Sequence, residues 1–213
     1  PNLSDSLAGR MEIVQLHPLS QGEMARHEPR FLDQLFAGAF PVSLSSRLGD
    51  DLIEAIVAGG YPAALQRSMP RRRSAWYRTY VRSLVERDVR EMSRISSLDA
   101  LPRLLAAIAA QSAQLLNVTD LSAPFSLSRP TIRDYVTVLQ RVFLVDILPP
   151  WHSNRLKRLI KTPKVHIGDT GVACALLGLD AARLDADRST FGPMLETFVL
   201  QELKRQASGR EDH

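Results

Sequence analysis

Residues 117–148 read NVTDLSAPFSLSRPTIRDYVTVLQRVFLVDIL, and this stretch decides the predicted fold. A polar turn at 126–130 separates two apolar runs. The second run places side chains at the three- and four-residue spacing of a half-buried helix, at Thr131, Ile132, Tyr135, Val136 and Leu139. The pattern is typical of a helix-turn-helix, and the apolar residues that follow predict a strand and therefore a winged form.

The flanking residues extend this prediction in both directions. Residues 97–116 predict a first helix, because Leu101, Leu105 and Ile108 share one face. Residues 143–149 and 164–167 predict two short strands with a basic loop, Asn154-Arg155-Leu156-Lys157-Arg158, between them. We therefore predict a winged helix over residues 96–167.

The first half of the chain predicts a helical, lid-like region over residues 18–95. The S-x-x-E pattern that begins at Ser20 is that of a capping box and predicts a helix over residues 21–36, with an interruption at Pro29. A further helix is predicted from Asp50, and a long one over residues 70–92. Three arginines, Arg71-Arg72-Arg73, open that long helix, where cations oppose the helix dipole. They indicate either an anionic partner or a solvated face.

Residues 168–213 predict a partial α/β domain at the C-terminal end. The turn Gly168-Asp169-Thr170-Gly171 joins a strand to a helix and is explained by Asp or Thr as the N-cap. The predicted fold class is thus mainly α with short β elements: a helical lid-like region, a winged helix-turn-helix, and a partial α/β C-terminal domain.

Composition favours a cytoplasmic protein with a polyanionic partner. The chain has 213 residues, a formal charge of +4 and a pI of about 9.6. Its single cysteine, Cys174, excludes an internal disulfide and fits a reducing compartment. No apolar run approaches the roughly 20 residues that span a bilayer, so no membrane partner is expected. The five histidines are scattered, and no metal site is predicted.

Candidate DNA contacts fall in two groups. The first lies at the start of the second helix of the helix-turn-helix, where recognition helices meet bases and phosphates. The second lies in the wing, which usually contacts phosphates. The residues are Ser128, Arg129, Thr131 and Arg133 in the helix, and Arg155, Lys157 and Arg158 in the wing. Winged helices also serve as protein-docking or lid modules with solvated arginines, and this alternative stays open.

Nucleotide-binding motifs are missing from the sequence. There is neither G-x-x-x-x-G-K followed by Ser or Thr nor G-x-G-x-x-G, so the backbone cradle for phosphates is absent from these 213 residues. The apolar run that ends at Asp146 resembles the acidic strand of P-loop enzymes. Without the loop, we interpret it as a wing strand that ends in a surface aspartate.

An ordered series of motifs nevertheless covers nearly the whole chain. The motifs are Ser6-Leu7-Ala8-Gly9-Arg10, Pro18-Leu19-Ser20-x-x-Glu23, Gly59-Gly60-Tyr61-Pro62, Glu86-Arg87-Asp88, Leu115-Leu116-Asn117, Ser128-x-x-Thr131, Thr162-Pro163-Lys164, Asp169-Thr170-Gly171 and Gly192-x-x-x-Glu196-x-Phe198-Val199-x-x-Glu202-Leu203. Together they resemble prokaryotic AAA-superfamily ATP-binding proteins that carry a C-terminal domain of unknown function.

The resemblance implies a longer parent protein. An ATPase domain with a P-loop would precede residues 1–17, which would be the tail end of its core. ATP and Mg²⁺ would bind in that parent and not in this fragment. Arg10 would be a candidate for approaching the nucleotide, with a salt bridge inside the core as an equal alternative. Residues 168–213 would begin a restriction-endonuclease-like domain, in which Glu196 would belong to a partial site for Mg²⁺-dependent hydrolysis.

Three functions follow as hypotheses. The first is a lid and winged-helix module that couples ATP hydrolysis in the parent to a nucleic-acid or protein partner. The second is a DNA-binding regulator without enzymatic activity. The third is a protein-interaction module that packs on a neighbouring subunit of a homo-oligomer or on an intramolecular ATPase core. No catalytic residue is assigned to this fragment.

Overall fold

A computed structural model of the chain describes residues 16–28, 30–39, 48–89, 99–151, 153 and 161–208. The described chain is mainly helical and contains a small three-stranded antiparallel sheet. The prediction of a mainly α fold with short β elements is confirmed at this level.

The helices of the first half are α1 (Gln21–Met24), α2 (Phe31–Phe36), α3 (Asp50–Ala58), α4 (Pro62–Leu65) and α5 (Pro70–Leu84), which continues as a π-helical turn (Val85–Val89). The elements that follow are α6 (Ala100–Ala110), β1 (Gln114–Leu115), α7 (Val118–Ser122), a 3₁₀ turn (Ala123–Phe125), α8 (Arg129–Arg141), β2 (Val145–Leu148) and β3 (Lys164–Ile167). The chain then forms α9 (Thr170–Leu177), α10 (Ala181–Ala186) and α11 (Arg188–Ser208).

Two predicted helices are shorter than expected, for the same physical reason. The capping box of Ser20 and Glu23 is present, but α1 ends at Met24 because Arg26 adopts a left-handed backbone with φ of 55°. The helix predicted over residues 21–36 with an interruption at Pro29 is thus two helices, α1 and α2, and the first ends earlier than predicted. Likewise, α6 ends at Ala110 because Ala113 has φ of 65°, which turns the chain into β1.

The sheet has the order β1–β3–β2, and both pairings are antiparallel. Gln114 lies opposite Val165, and Val145 lies opposite Ile167. A left-handed residue, Phe143, ends the turn after α8 and lets β2 begin at Val145. The sheet therefore pairs β1, which follows α6, with the two strands that follow α8, β2 and β3.

Helix α8 owes its boundaries to its sequence. The side chain of Ser128 accepts a hydrogen bond from the backbone N–H of Thr131, and Pro130 occupies the first turn, where its missing N–H has no cost. Ser126, with φ of 53°, makes the tight turn that separates α8 from α7. The apolar stripe of α8 is buried at Ile132, Tyr135, Val136, Val138 and Leu139, as predicted.

The core forms where α9 packs against α3, α5 and α6. Residues 170–175 of α9 are all buried and small or medium in size, which lets the three helices approach it closely. Asp169 is the N-cap of α9 and accepts from Gly171 N at 2.9 Å and Val172 N at 3.3 Å. The prediction that this turn is a helix cap is confirmed.

Asp169 also joins distant parts of the chain. Its Oδ2 accepts from Gly60 N at 2.8 Å and from Arg205 Nη2 at 3.0 Å. Arg205 Nη1 in turn donates to the Leu19 carbonyl at 2.9 Å and to Glu202 Oε1 at 3.0 Å. Several motifs of the ordered series therefore meet at one buried ion pair, which holds the lid-like region, α9 and α11 together.

The close approach of these segments requires glycine. A Cβ at Gly59, which has φ of 67°, would lie 2.2 Å from Asp169 Oδ1, and one at Gly171 would lie 2.6 Å from the Tyr77 hydroxyl. The Tyr77 hydroxyl donates to the Ala58 carbonyl at 2.8 Å and so fixes the end of α3. Within the described ranges, no helix combines the length and the apolar character needed to cross a bilayer.

Candidate nucleic-acid interface

A groove of about 570 Å³ lies between α8, α7 and the base of the β2–β3 hairpin. Its polar lining comes from Thr119, Arg129, Arg133, Thr137, Gln140 and Lys161. Val118, Val136 and Ile147 form part of its apolar floor. The structure thus brings two of the predicted DNA contacts, Arg129 and Arg133, to one concave surface.

The two faces of α8 differ sharply in character. Its exposed positions are Arg129, Pro130, Arg133, Asp134, Thr137 and Arg141, whereas the apolar residues point inward. Arg129 and Arg133 are one helical turn apart and therefore neighbours on that face. The outward face of the helix is consequently cationic at its N-terminal half.

The three cations of the groove have no carboxylate partner. Arg129, Arg133 and Lys161 form no ion pair with any residue of the described ranges. Asp120 accepts a 2.7 Å hydrogen bond from the Asn117 side chain next to the groove. Among the described residues, the lining of the groove thus contains three cations and no carboxylate, which suits a phosphate backbone.

Ser128 and Thr131 mainly stabilise the start of α8. Ser128 Oγ lies 2.7 Å from Thr131 Oγ1 and 3.2 Å from the Thr131 backbone nitrogen. Both side chains are thus hydrogen-bonded to each other across the first turn. They place Arg129 and Arg133 at the groove, and this positioning is their clearest structural contribution.

The remaining predicted site residues either lie outside the described residues or lie on another element. Arg155, Lys157 and Arg158 of the wing, and Arg10 near the N-terminus, lie outside the described residues. Glu196 lies far along the chain on α11, where it forms an ion pair with Lys164 of β3, and both side chains are partly exposed. In the described part of the chain, no group of three His, Cys, Asp or Glu residues could hold a metal ion.

Lys161 was missed by sequence reasoning. It precedes β3 by three residues and carries no motif of its own. Only the antiparallel pairing of β3 with β1 and β2 brings it opposite α8. Its position in the sequence, three residues after the predicted basic loop 154–158, was the feature that could have indicated it.

A chain of buried polar groups lies beneath the sheet. Ser112 Oγ lies 2.9 Å from Thr197 Oγ1, which lies 3.0 Å from His166 Nδ1, and Ser112 Oγ also accepts from Ile167 N at 3.0 Å. Ser112, Thr197 and His166 are fully buried, so this arrangement binds α6, β3 and α11 together and offers no access to a substrate. Burial lowers the pKa of His166 below its ordinary value.

Asp146 is accounted for by contacts within the fold. It accepts from Gln201 Nε2 at 2.8 Å and forms an ion pair with Lys204. Asp146 lies within β2 and is partly buried, so the interpretation that the strand ends in a surface aspartate was wrong, whereas the wing stays a prediction. Burial also raises the pKa of the Cys174 thiol to about 12, so this cysteine is not a nucleophile near neutral pH.

Comparison with known proteins supports a family assignment. Residues 49–183 match a domain of unknown function, DUF8612. The chain belongs to this family. The match runs from just before α3 into α10, so it includes the groove and Asp169 but not Arg205.

Two curated relatives extend the comparison beyond the DUF8612 domain. They are the uncharacterized proteins Rv2008c of Mycobacterium tuberculosis and Mb2031c of Mycobacterium bovis, each 29% identical to this chain over 202 residues. The alignments cover 94% of this chain but 40% of each relative, so the chain spans well under half the length of these proteins. No solved structure matches the chain.

Proposed function

We propose that residues 100–167 form a winged-helix module that binds duplex DNA. The observation that carries the proposal is the outward face of α8, which presents Arg129 and Arg133 beside Lys161 in one groove while its apolar residues are buried. Phosphate contacts from such cations supply most of the sequence-independent affinity for DNA.

The order of the elements supports a winged helix. Helix α6 is followed by β1, α7, α8, β2 and β3, and the last strand lies between the other two. In this arrangement α8 corresponds to the recognition helix and the β2–β3 hairpin to the wing. Trp151, which is 81% exposed, follows β2 directly and lies at the start of the proposed wing.

A protein-docking role for α8 is the less favoured alternative. Docking through this helix would require exposed apolar side chains with the basic residues turned elsewhere. Instead, the exposed face is polar and cationic, and Ile132, Tyr135 and Leu139 are at most 3% exposed. A nucleic-acid partner therefore fits the surface better than a protein partner does.

The role in a longer ATP-binding protein is also a proposal. It rests on the ordered motifs, and it assigns the lid function to residues 18–95 and ATP with Mg²⁺ to a preceding domain. The ion pair of Asp169 and Arg205 supports it, because this pair connects the lid-like region to the elements that carry the winged helix. Sequencing of the coding region upstream of residue 1 tests this proposal, which fails if no P-loop motif is present. The nuclease-like role of Glu196 stays a prediction.

The DNA proposal is tested by fluorescence anisotropy with a labelled duplex of about 20 base pairs over a range of salt concentrations. We expect affinity to fall steeply with salt, and each of Arg129→Ala, Arg133→Ala and Lys161→Ala to lower the slope of log K against log[salt] by roughly 1. Arg141→Ala is the matched control, because Arg141 is exposed at the other end of α8 and does not line the groove. Salt-independent binding, or equal loss in all four variants, would overturn the proposal.

A further inference from the structure

A second cavity, of about 470 Å³, lies between the start of α5 and the end of α9, away from the groove. We name it the arginine cavity, because Arg71, Arg73 and Arg78 of α5 all line it. Ser74 lies among them, and Cys174 and Ala175 of α9 form the opposite wall. None of the six belongs to the proposed DNA interface.

The three guanidinium groups are not neutralised by the protein. None of them forms an ion pair with another described residue. Among the described residues, the acidic one that lines the cavity is Asp180, whose Oδ1 accepts a 2.9 Å hydrogen bond from Arg183 N as the cap of α10. The cavity therefore has a surplus of positive charge.

Arg73 is the most informative of the three. Its Nε is buried and has no hydrogen-bond partner, and its Nη2 makes one long contact, 3.4 Å, with the Arg67 carbonyl. Asp51 and Glu54 line a separate, shallower cavity on the other side of Arg73, but neither is within 4.0 Å of it as an ion pair. The guanidinium of Arg73 is therefore weakly hydrogen-bonded to the described residues, and its Nη groups can donate to an acceptor from a ligand in the cavity.

Arg78 is an exposed side chain that contacts both α5 and α9. Its Nη1 donates to Ser74 Oγ at 2.7 Å and reaches the Ala175 carbonyl only at 3.4 Å. The carbonyl of Gly178, at the end of α9, already accepts a 2.8 Å bond from Arg183. Arg78 therefore contacts a different carbonyl in the last turn of α9, that of Ala175, while one edge of the cavity is formed by its side chain.

We propose that the arginine cavity binds a small organic phosphate. Guanidinium groups form paired, charge-assisted hydrogen bonds with phosphate oxygens, which suits Arg73 and Arg78. The remaining wall, with Val57, Ala75 and Leu179, is apolar and would contact the carbon skeleton of the ligand. The volume lies within the range of about 300 to 1,000 Å³ that is typical of small-molecule sites.

The test is isothermal titration calorimetry of the 213-residue chain with AMP, and with adenosine as the phosphate-free probe. We expect AMP to bind with a stoichiometry of one and adenosine to bind much more weakly. Arg73→Gln and Arg78→Gln should each weaken AMP binding about tenfold, because each removes a charge-assisted contact. Arg72→Gln is the matched control, since Arg72 is exposed on the same helix but does not line the cavity.

Thermal unfolding followed by circular dichroism shows whether each variant is folded. If Arg73→Gln is unstable, Arg71→Gln replaces it, because Arg71 is exposed at the rim and its loss does not disturb the interior. Absence of AMP binding at millimolar concentration, adenosine binding as tight as that of AMP, or an equal loss in Arg72→Gln would each overturn the proposal.

Discussion

The Arg205 guanidinium donates to the Asp169 carboxylate at 3.0 Å inside the protein, where the two side chains are 5% and 1% exposed. The pair links residues that are far apart in the chain, because Asp169 also accepts from Gly60 and Arg205 also donates to the Leu19 carbonyl. Burial raises the pKa of the Asp169 carboxyl, and Arg205 and the backbone N–H of Gly60 partly offset that rise.

Removal of either partner should destabilise the protein strongly. We expect Arg205→Met or Asp169→Asn to lower the free energy of unfolding by about 3 to 5 kcal/mol, since each leaves a buried polar group uncompensated. The double variant should be less destabilised than the sum of the two single variants. Urea denaturation measures all three values.

Glu196→Gln provides the matched control for that prediction. It breaks the partly exposed pair with Lys164 and should cost at most about 1 kcal/mol. A cost for Arg205→Met as small as that for Glu196→Gln would contradict a structural role for the buried pair.

Gly59 and Gly38 offer a comparison at nearly the same backbone angle. Both have positive φ, 67° and 66°, but a Cβ at Gly59 would lie 2.2 Å from Asp169 Oδ1, whereas one at Gly38 meets nothing within 4 Å. We expect Gly38→Ala to cost about 1 to 2 kcal/mol from backbone strain alone. Gly59→Ala should cost clearly more or prevent folding. Thermal melts of both variants measure the difference, and equal melting temperatures would contradict the steric argument.

His166 should make stability depend on pH. Because burial lowers its pKa in the folded protein, the unfolded chain binds more protons in acid, and stability falls as the pH drops below about 6.5. His166→Gln removes this contribution. We expect the loss of stability between pH 7.5 and pH 5 to be smaller in the variant than in the wild type.

The difference in pH dependence between the wild type and His166→Gln reports the contribution of His166 alone. Burial raises the pKa of Glu202, and this carboxyl contributes with the opposite sign, but it is present in both proteins and cancels in the difference. The groups that act on His166 electrostatically are Glu196, Lys164, Asp146 and Lys204. Parallel stability curves for wild type and variant between pH 7.5 and pH 5 would exclude His166 as the source.

Two substitutions of Ser128 should separate capping from DNA binding. Ser128→Ala removes the side chain that accepts from Thr131 N and should cost about 1 kcal/mol of stability. Ser128→Asp keeps a capping oxygen and should preserve stability, but its negative charge beside Arg129 should weaken duplex binding. Anisotropy and thermal melts on the same samples test both. Unchanged DNA affinity in Ser128→Asp would argue against DNA at this end of α8.

Local sequence signals predicted the elements well where the determinants are near neighbours. The capping box of Ser20, the stripe from Ile132 to Leu139 and the cap at Asp169 all depend on residues within one or two helical turns, and each is confirmed. The helix break at Arg26 was not predicted, because a left-handed arginine has no sequence signature comparable to that of glycine.

Contacts between residues that are distant in the sequence could not be predicted from local patterns. Lys161 meets Arg129 and Arg133 only through the sheet, and Arg205 meets Asp169 across 36 residues. Which residue pairs with a buried charge depends on which residues the folded core brings next to it. That information is absent from the local sequence. The motifs that contain Asp169 and Glu202 could be recognised in the sequence, but their contacts with the same arginine, Arg205, could not be predicted.

Helix α11 has one consequence for how the protein can move. Beside the buried apolar Met194 and Phe198, it carries a row of polar side chains. Glu196, Thr197, Gln201, Lys204 and Arg205 contact, in order, Lys164, His166, the Ile167 carbonyl with Asp146, Asp146 again, and Asp169. An apolar face tolerates sliding, because one methyl group can replace another. Here a shift of one turn, about 5.4 Å, would break every one of these contacts at once. Such a shift of α11 would therefore release the sheet and the segments around Leu19 and Gly60 in the same step.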